Sequence, residues 1–256
     1  MPKFNTSWIA TPLVLIVLVA IWHGYVTIFS VSPFILPSPL AVWQAVLVLV
    51  ADPRTWSHTL ITLYEIVFGF ILAVIIGIVF GGFLGKIRWL EQTLNPLIVG
   101  LQVMPKVALI PLFIVWFGFG VTSKIVLAAV ISFFPIMTNT ILGIKSVETG
   151  HRDVMLALNA SRWQTFRDVE LPSALPFILT GMEVGIVLAT IGAIVGEYLG
   201  GSQGLGYMAV ATLNAFDVQS MFGVILILTV LGLILYFLVV MLRRYLTPWH
   251  AAATRD

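Results

Sequence analysis

Six stretches of this chain are apolar over a length that crosses a bilayer, and the polar residues collect in short clusters between them. The runs lie near residues 8–29, 59–84, 94–118, 124–144, 174–198 and 221–242. A helix rises about 1.5 Å per residue, so roughly 20 residues traverse a hydrocarbon core of about 30 Å. Residues 30–52 are apolar as well, but Pro33, Pro37 and Pro39 break the run early. The part after the prolines reads as a helix lying at the outer interface, a surface that suits Trp43 and Trp56. The pattern predicts an all-α polytopic membrane protein with about six transmembrane helices. Its expected organisation is an N-terminal span and interfacial segment over 1–56, a transmembrane core over 57–246, and a tail over 247–256.

Basic residues set the orientation, because short cytoplasmic loops are enriched in Lys and Arg. With the N-terminus inside, Lys3, Lys86, Arg88, Lys145, Arg152, Arg162, Arg167, Arg243, Arg244 and Arg255 all fall on the cytoplasmic side. Arg54 and Lys124 fall outside, and Lys106 falls within a span. A further crossing at residues 30–52 would overturn this bias. Both termini are therefore expected in the cytoplasm, with Arg243, Arg244 and Trp249 as a stop and an interface anchor. Lys3 precedes the first apolar run as in a signal peptide, but that run has the length of a full span and no small-residue cleavage site follows, so it reads as a retained helix.

Composition narrows the chemistry. The chain has 256 residues, 60% of them hydrophobic and 9% charged, and a mean hydropathy of +1.08. These values exclude a soluble core. No cysteine is present, which removes disulfides, thiolate nucleophiles and cysteine metal sites. His23, His58, His151 and His250 are scattered without a second ligand at helical spacing, so no metal is expected. The segment GGFLGKIRW from Gly81 lacks both the first glycine and the hydroxyl residue of a phosphate-binding loop. If the protein uses nucleotide energy, another subunit supplies it, and no cofactor is expected on this chain. Nothing points to nucleic acid.

Glycines recur at four-residue spacing: Gly77, Gly81 and Gly85 in the second span, Gly181 with Gly185, then Gly192, Gly196 and Gly200 in the fifth. Such ridges let helices approach closely in lipid. Packing within the bundle is the expected use; a moving pathway or a second subunit is the alternative.

One segment concentrates charge outside the spans: DVMLALNASRWQTFRDVELP, from Asp153 to Pro172. Asp153 to Leu158 reads as a short helix. Asn159 suits a left-handed stop. Ser161 with Gln164 three residues later is a capping box that opens a second helix, with Trp163, Phe166 and Val169 on one side and Pro172 expected to end it. Two short helices carrying aromatic and basic residues suit a groove on a partner, or equally the membrane surface with arginines at the headgroups.

This segment resembles the EAA loop of ABC importer permeases, in which Glu-Ala-Ala is followed by a glycine and then Ile-x-Leu-Pro at fixed spacing. Asp153, Val154 and Met155 stand at the triplet, Asn159 at the glycine, and Val169, Leu171 and Pro172 at the close. Acid stays acid, while the alanines and the glycine are replaced. Further stretches, LPSP from Leu36, MPKVALIPLFIVWFGFG from Met104, FFPIMTNTILGIKSV from Phe133 and GEYLGGSQGLGYM from Gly196, look like the branch serving nitrate, sulfonate, taurine and vitamin-precursor importers. The resemblance implies a type I ABC importer permease fold with a cytoplasmic coupling helix in a loop at about 148–173. It implies a cytoplasmic ABC ATPase dimer, a second permease copy and a periplasmic substrate-binding protein as partners, in the lipid of a bacterial inner membrane. Asp153, Met155, Asn159, Ala160, Ser161, Arg162, Trp163, Phe166, Arg167, Leu171 and Pro172 would then receive the ATPase, and the chain itself would catalyse nothing. The implied cargo is a sulfonate, taurine or nitrate, with a pyrimidine or flavin vitamin precursor as the alternative.

Ionisable groups in or near spans are functional candidates. Lys106, Asn139, Glu183 and Glu197 are the candidates for the translocation pathway. Lys106 follows Pro105 in a helix broken again at Pro111, and the favoured expectation pairs it with Glu65 or Glu183 inside the bundle. Glu197 precedes a glycine-rich turn that suits a docked binding protein or an outer gate, and equally a plain loop. Two other classes remain open at this point: an ion-coupled secondary transporter using Glu65 or Glu183, and a membrane-embedded enzyme, for which no cluster of nucleophile, base and metal ligand is present.

Overall fold

The computed structural model describes residues 7–249, with side chains from residue 10 onward. Lys3, His250, Arg255 and most of the expected tail lie outside the described residues. Among those described there are only helices. The chain opens with α1 (Ser7–Ile28) and α2 (Pro39–Ala51), and continues through the long α3 (Pro53–Lys86) and α4 (Arg88–Val103). A 3-10 turn (Lys106–Leu109) leads into α5 (Ile110–Phe117), followed by α6 (Val121–Lys145). Two short helices, α7 (Thr149–Ala157) and α8 (Arg162–Thr165), precede α9 (Leu171–Gly200), α10 (Leu205–Asn214) and α11 (Val218–Leu246). Five helices are long and apolar enough to cross a membrane, and the bent pair α4 with α5 makes up to six.

The core is a three-helix slab with α6 between α3 and α9. Ile66, Phe70 and Ala73 of α3 meet Ala128 and Ile136 of α6 and Ile186, Ala189 and Ala193 of α9, with Leu235 and Val239 of α11 closing the cluster. Lipid supplies no hydrophobic drive between helices, so close packing must hold them. Both glycine ridges serve that end, and both rest on α6, except at Gly200, which meets Ile114 of α5. A methyl group on Gly81 would sit 2.6 Å from Thr140 Cβ of α6, and one on Gly192 would sit 2.8 Å from Ala128 Cα of α6. Those separations are below any van der Waals contact, so only glycine allows the approach.

Residues 39–51 form the expected short helix. Ser38 caps it, its Oγ accepting from Ala41 N–H at 3.3 Å, and Pro39 occupies the first turn, where its missing N–H costs nothing. Its 13 residues rise about 20 Å, short of a crossing. It lies on α11, where Leu49 meets Val224 and Leu228. By contrast α1 buries none of its apolar window against the rest of the chain; one contact is Trp22 with Phe222, ring centroids 6.2 Å apart.

Three expectations need correction. The third span starts at Arg88 and is a pair of helices bent by 81°. Pro105 pushes Met104 to an extended conformation (φ −57°, ψ 130°) and so ends α4. Pro172 does not end the second short helix. Residues 162–200 form one continuous helical run, with a π-helical turn at Phe166–Glu170 in which Leu171 N–H donates to Phe166 O. The wide turn directly before the proline accommodates it in the first turn of α9, where an N–H is dispensable. Finally, α3 begins at Pro53, so the expected division at 56/57 falls inside a helix.

Candidate functional site

The ends of the long helices sort by charge. Lys86, Lys145, Arg152 and Arg243 mark a basic end, where α3, α6 and α11 finish and α4 and α9 begin. The segment with the implied coupling residues is at this end. α7 stops in a Schellman motif: Ala160 N–H donates to Met155 O at 2.9 Å, Asn159 N–H donates to Leu156 O at 3.0 Å, and Asn159 takes the left-handed conformation (φ 51°). Both bonds of the capping box are present. Gln164 N–H donates to Ser161 Oγ at 3.2 Å, and Ser161 N–H donates to Gln164 Oε1 at 2.7 Å. The left-handed residue thus sets the angle between two short helices, each with its end groups satisfied.

This corner turns an apolar surface outward. Val154, Leu156, Leu158 and Trp163 are all more than half exposed, and Asp153, Arg162 and Arg167 are exposed around them. Trp163 rests on Phe166, ring centroids 5.7 Å apart, while Met155, Ala160 and Phe166 are half-buried. Leu171 and Pro172 belong to the first turn of α9 and join the corner to the slab.

Glu170, Lys86 and Arg152 fasten the corner to the bundle, and none of them is a candidate from the sequence. Glu170, at the end of the π turn, accepts Lys86 from the end of α3 at 3.0 Å and Arg152 from α7 at 3.3 Å. Lys86 also lies 4.6 Å over the Phe166 ring. A second tie, Lys145 with Glu91, joins α6 to α4. The three members of the Glu170 cluster come from separate parts of the chain, so no spacing rule finds them.

The four pathway candidates lie in different surroundings. Glu183 of α9 pairs with Arg243 of α11 at 2.8 Å. Asn139 turns back on its own helix, Nδ2 donating to Pro135 O at 2.8 Å, and packs against Gly181 of α9. Glu197 is sealed at the end opposite the basic one. It accepts from Thr62 Oγ1 and Gly206 N–H, both at 2.6 Å, and its carboxyl meets that of Glu65. Thr62 in turn accepts Leu205 N–H at 2.8 Å, and His58 Nδ1 accepts Gly204 N–H at 2.9 Å. The glycine-rich turn is therefore folded inward, and Gly204 (φ 100°) leaves no room for a side chain beside Glu197. Lys124 completes this cluster. It is buried, and its Nζ donates to Phe119 O, to Gly120 O at 3.0 Å and to Gly200 O at 3.0 Å.

Lys106 reaches neither Glu65 nor Glu183. Its Nζ donates to Gln102 O at 2.9 Å, a carbonyl that the break at Pro105 deprives of a helical partner, and lies 4.9 Å over the Phe134 ring. Of the four candidates it alone lines the cavity of about 420 Å³ at the kink between α4 and α5.

A long apolar bundle, a helical corner at its basic end and a broken span match a known architecture. Residues 66–249 match the family described as binding-protein-dependent transport system inner membrane component. The chain belongs to this family. Over 254 residues it is 40% identical to the riboflavin transport system permease protein RibX of Chloroflexus aurantiacus, covering 98% of this chain and 93% of that protein. It is 33% identical to the formylaminopyrimidine transport permease protein ThiX of Halalkalibacterium halodurans, covering 92% and 93%. It is 31% identical to the taurine transport system permease protein TauC of Escherichia coli, covering 92% and 88%. An inward-facing structure of the MetNI methionine ABC transporter shares the fold with a TM-score of 0.66 at 21% identity, over 77% of this chain and 99% of that one. The protein is a multi-pass inner-membrane permease subunit of an ABC importer, and not an enzyme. Permeases of this family work with a separate ATPase and a substrate-binding protein.

Proposed function

We propose that this permease moves a small nutrient molecule by alternating access, and that the corner formed by residues 148–173 is where a cytoplasmic ATPase dimer drives it. The basic end faces the cytoplasm under the charge bias of the loops, and so do both termini. Two permease copies form the pore, a periplasmic binding protein delivers the cargo at the opposite end, and ATP and Mg stay on the ATPase.

The observation that carries this reading is the apolar surface of Val154, Leu156, Leu158 and Trp163 on a corner that Glu170 braces internally through Arg152 of α7 and ties to α3 through Lys86. An exposed apolar patch marks a contact site, and the ties make the corner move with the spans. Asp153, Arg162 and Arg167 supply a polar rim. ATPase closure carries the two corners with it, and the continuous run from Arg162 into α9 passes the displacement to the slab. The named relatives belong to transport systems for riboflavin, formylaminopyrimidine and taurine, which supports a small organic nutrient as the cargo, with sulfonate-like anions and heterocyclic vitamin precursors as the two classes.

The test is affinity purification of the tagged permease from native membranes beside an Asn159→Pro, Arg162→Glu variant, with co-purifying proteins identified and ATP hydrolysis assayed. Proline cannot adopt the positive φ of Asn159, so the corner opens. An ATPase that accompanies the wild type and is lost from the normally inserted variant supports coupling here. An ATPase retained by both removes it.

A further inference from the structure

We infer that the cavity at the kink of the third span is a station for the transported molecule, and that it takes a planar heteroaromatic ring bearing a carbonyl or anionic acceptor in preference to a small hard anion. This rests on the permease reading above. The cavity of about 420 Å³ lies among α3, the end of α4 and α6, walled by residues such as Leu72, Ile76, Leu101 and Ala129 together with Phe133 and Phe134. That volume falls within the range of small-molecule sites.

Among the cations within the spans, Lys124 sits beside Glu65 and Glu197 with three carbonyls around its ammonium, which leaves Lys106. Glu65 meets Glu197, Glu183 holds Arg243, Glu91 holds Lys145, and Glu170 holds Lys86 and Arg152. Lys106 has no carboxylate partner among the described residues. An ammonium group carries three donors, and Gln102 O takes one of them. Lys106 is half-buried, and the Phe134 face and the partial negative charge at the end of α4 offset part of its desolvation. A cation so placed in apolar surroundings is best satisfied by an acceptor that arrives with the cargo.

The walls decide which cargo. A nitrate or sulfonate would exchange its hydration shell for a single ammonium and hydrocarbon, which one charge contact does not offset. A planar ring instead lays its faces on apolar walls and on Phe133 and Phe134, whose centroids are 5.0 Å apart in an edge-to-face arrangement. It needs only one edge acceptor near Lys106. Of the two cargo classes, the heterocyclic one fits.

Riboflavin, a flat ring system with carbonyl acceptors whose fluorescence is quenched on aromatic stacking, is the probe, and taurine is the competitor. The permease is purified in lipid nanodiscs without a binding protein, and co-purification of the ATPase with each variant checks assembly. Riboflavin fluorescence is expected to be quenched saturably by the wild type and to be indifferent to millimolar taurine. Lys106→Met is expected to weaken binding about tenfold or more, the scale of one lost charge-assisted contact, and Lys106→Arg to restore most of it. Phe134→Leu is expected to weaken binding without abolishing it. Absence of saturable quenching, as when lipid or a second permease copy fills the cavity, overturns the inference; so does equal binding by Lys106→Met, or displacement by taurine. If no ATPase accompanies even the wild type, the coupling proposal fails, and the riboflavin titration of the permease alone still reads the cavity.

Discussion

Arg243, close to the end of α11, places its Nε 2.8 Å from Oε1 of Glu183 in the middle of α9. The pair is a polar tie between the last span and the slab, beside an apolar contact that includes Ile186, Ala189, Leu235 and Val239. Removing one partner of a buried pair strands the other charge, at a cost of about 3–5 kcal/mol. Arg243 keeps a quarter of its side chain exposed, so Glu183→Gln is expected at the low end, about 3 kcal/mol. Glu183→Leu combined with Arg243→Met should recover most of the loss. Unfolding of the purified variants in nanodiscs measures the cycle; a double variant as damaged as the two singles together would show that the residues do not act as a pair.

The neighbours Gly81 and Gly82 offer a test of the slab. A methyl on Gly81 would lie 2.6 Å from Thr140 Cβ and 2.7 Å from Met137 O, while nothing lies within 4 Å of one on Gly82. Gly81→Ala is therefore expected to destabilise the bundle by about 1–3 kcal/mol through overpacking. Gly82→Ala should be neutral or up to about 1 kcal/mol stabilising, because alanine is the better helix former. Thermal unfolding of the two variants side by side reads the contrast, and equal behaviour would refute the placement of α3 on α6.

Asn159 tests the corner locally. Asn159→Gly keeps the left-handed stop and should leave stability within about 1 kcal/mol of the parent. Asn159→Val forces a β-branched residue to a φ of 51° and should cost about 1–2 kcal/mol. Because the strain is local, the expected signature is faster hydrogen exchange at the amides of Asn159, Ala160 and Gln164, with the amides of α6 unchanged. Uniform exchange across the chain would place the effect elsewhere.

At the opposite end, Thr62 Oγ1 donates to Glu197 and accepts from Leu205 N–H. Thr62→Val keeps the shape and removes both bonds, leaving two buried polar groups short of a partner, at about 1–3 kcal/mol each. Thr62→Ser keeps the hydroxyl and should be close to neutral. Hydrogen exchange at Leu205 and Gly206 is the readout, and protection that survives in the valine variant would mean that the turn is held by other contacts.

The sequence by itself determined the elements of this permease that depend on local chemistry. Apolar runs of span length became helices because an unpaired backbone is prohibitive in lipid. Ser161 with Gln164, and Asn159 at a helix end, foretold the corner because capping and the left-handed stop involve only residues a few positions apart. The glycine spacing announced a close contact without saying with which helix. Tertiary structure decided what depended on distance: that both ridges, Gly200 excepted, rest on α6, that Glu183 meets Arg243, that Glu65, Glu197 and Lys124 close one cluster, and that Glu170 gathers Lys86 and Arg152. These are pairings between residues tens to more than a hundred positions apart, and a charge carries no mark of its partner until packing brings the two together. The same holds for Lys106. Its sequence context gave a broken helix and a cation, but only the 81° bend between α4 and α5 turned that break into one wall of a cavity and left the cation without a carboxylate.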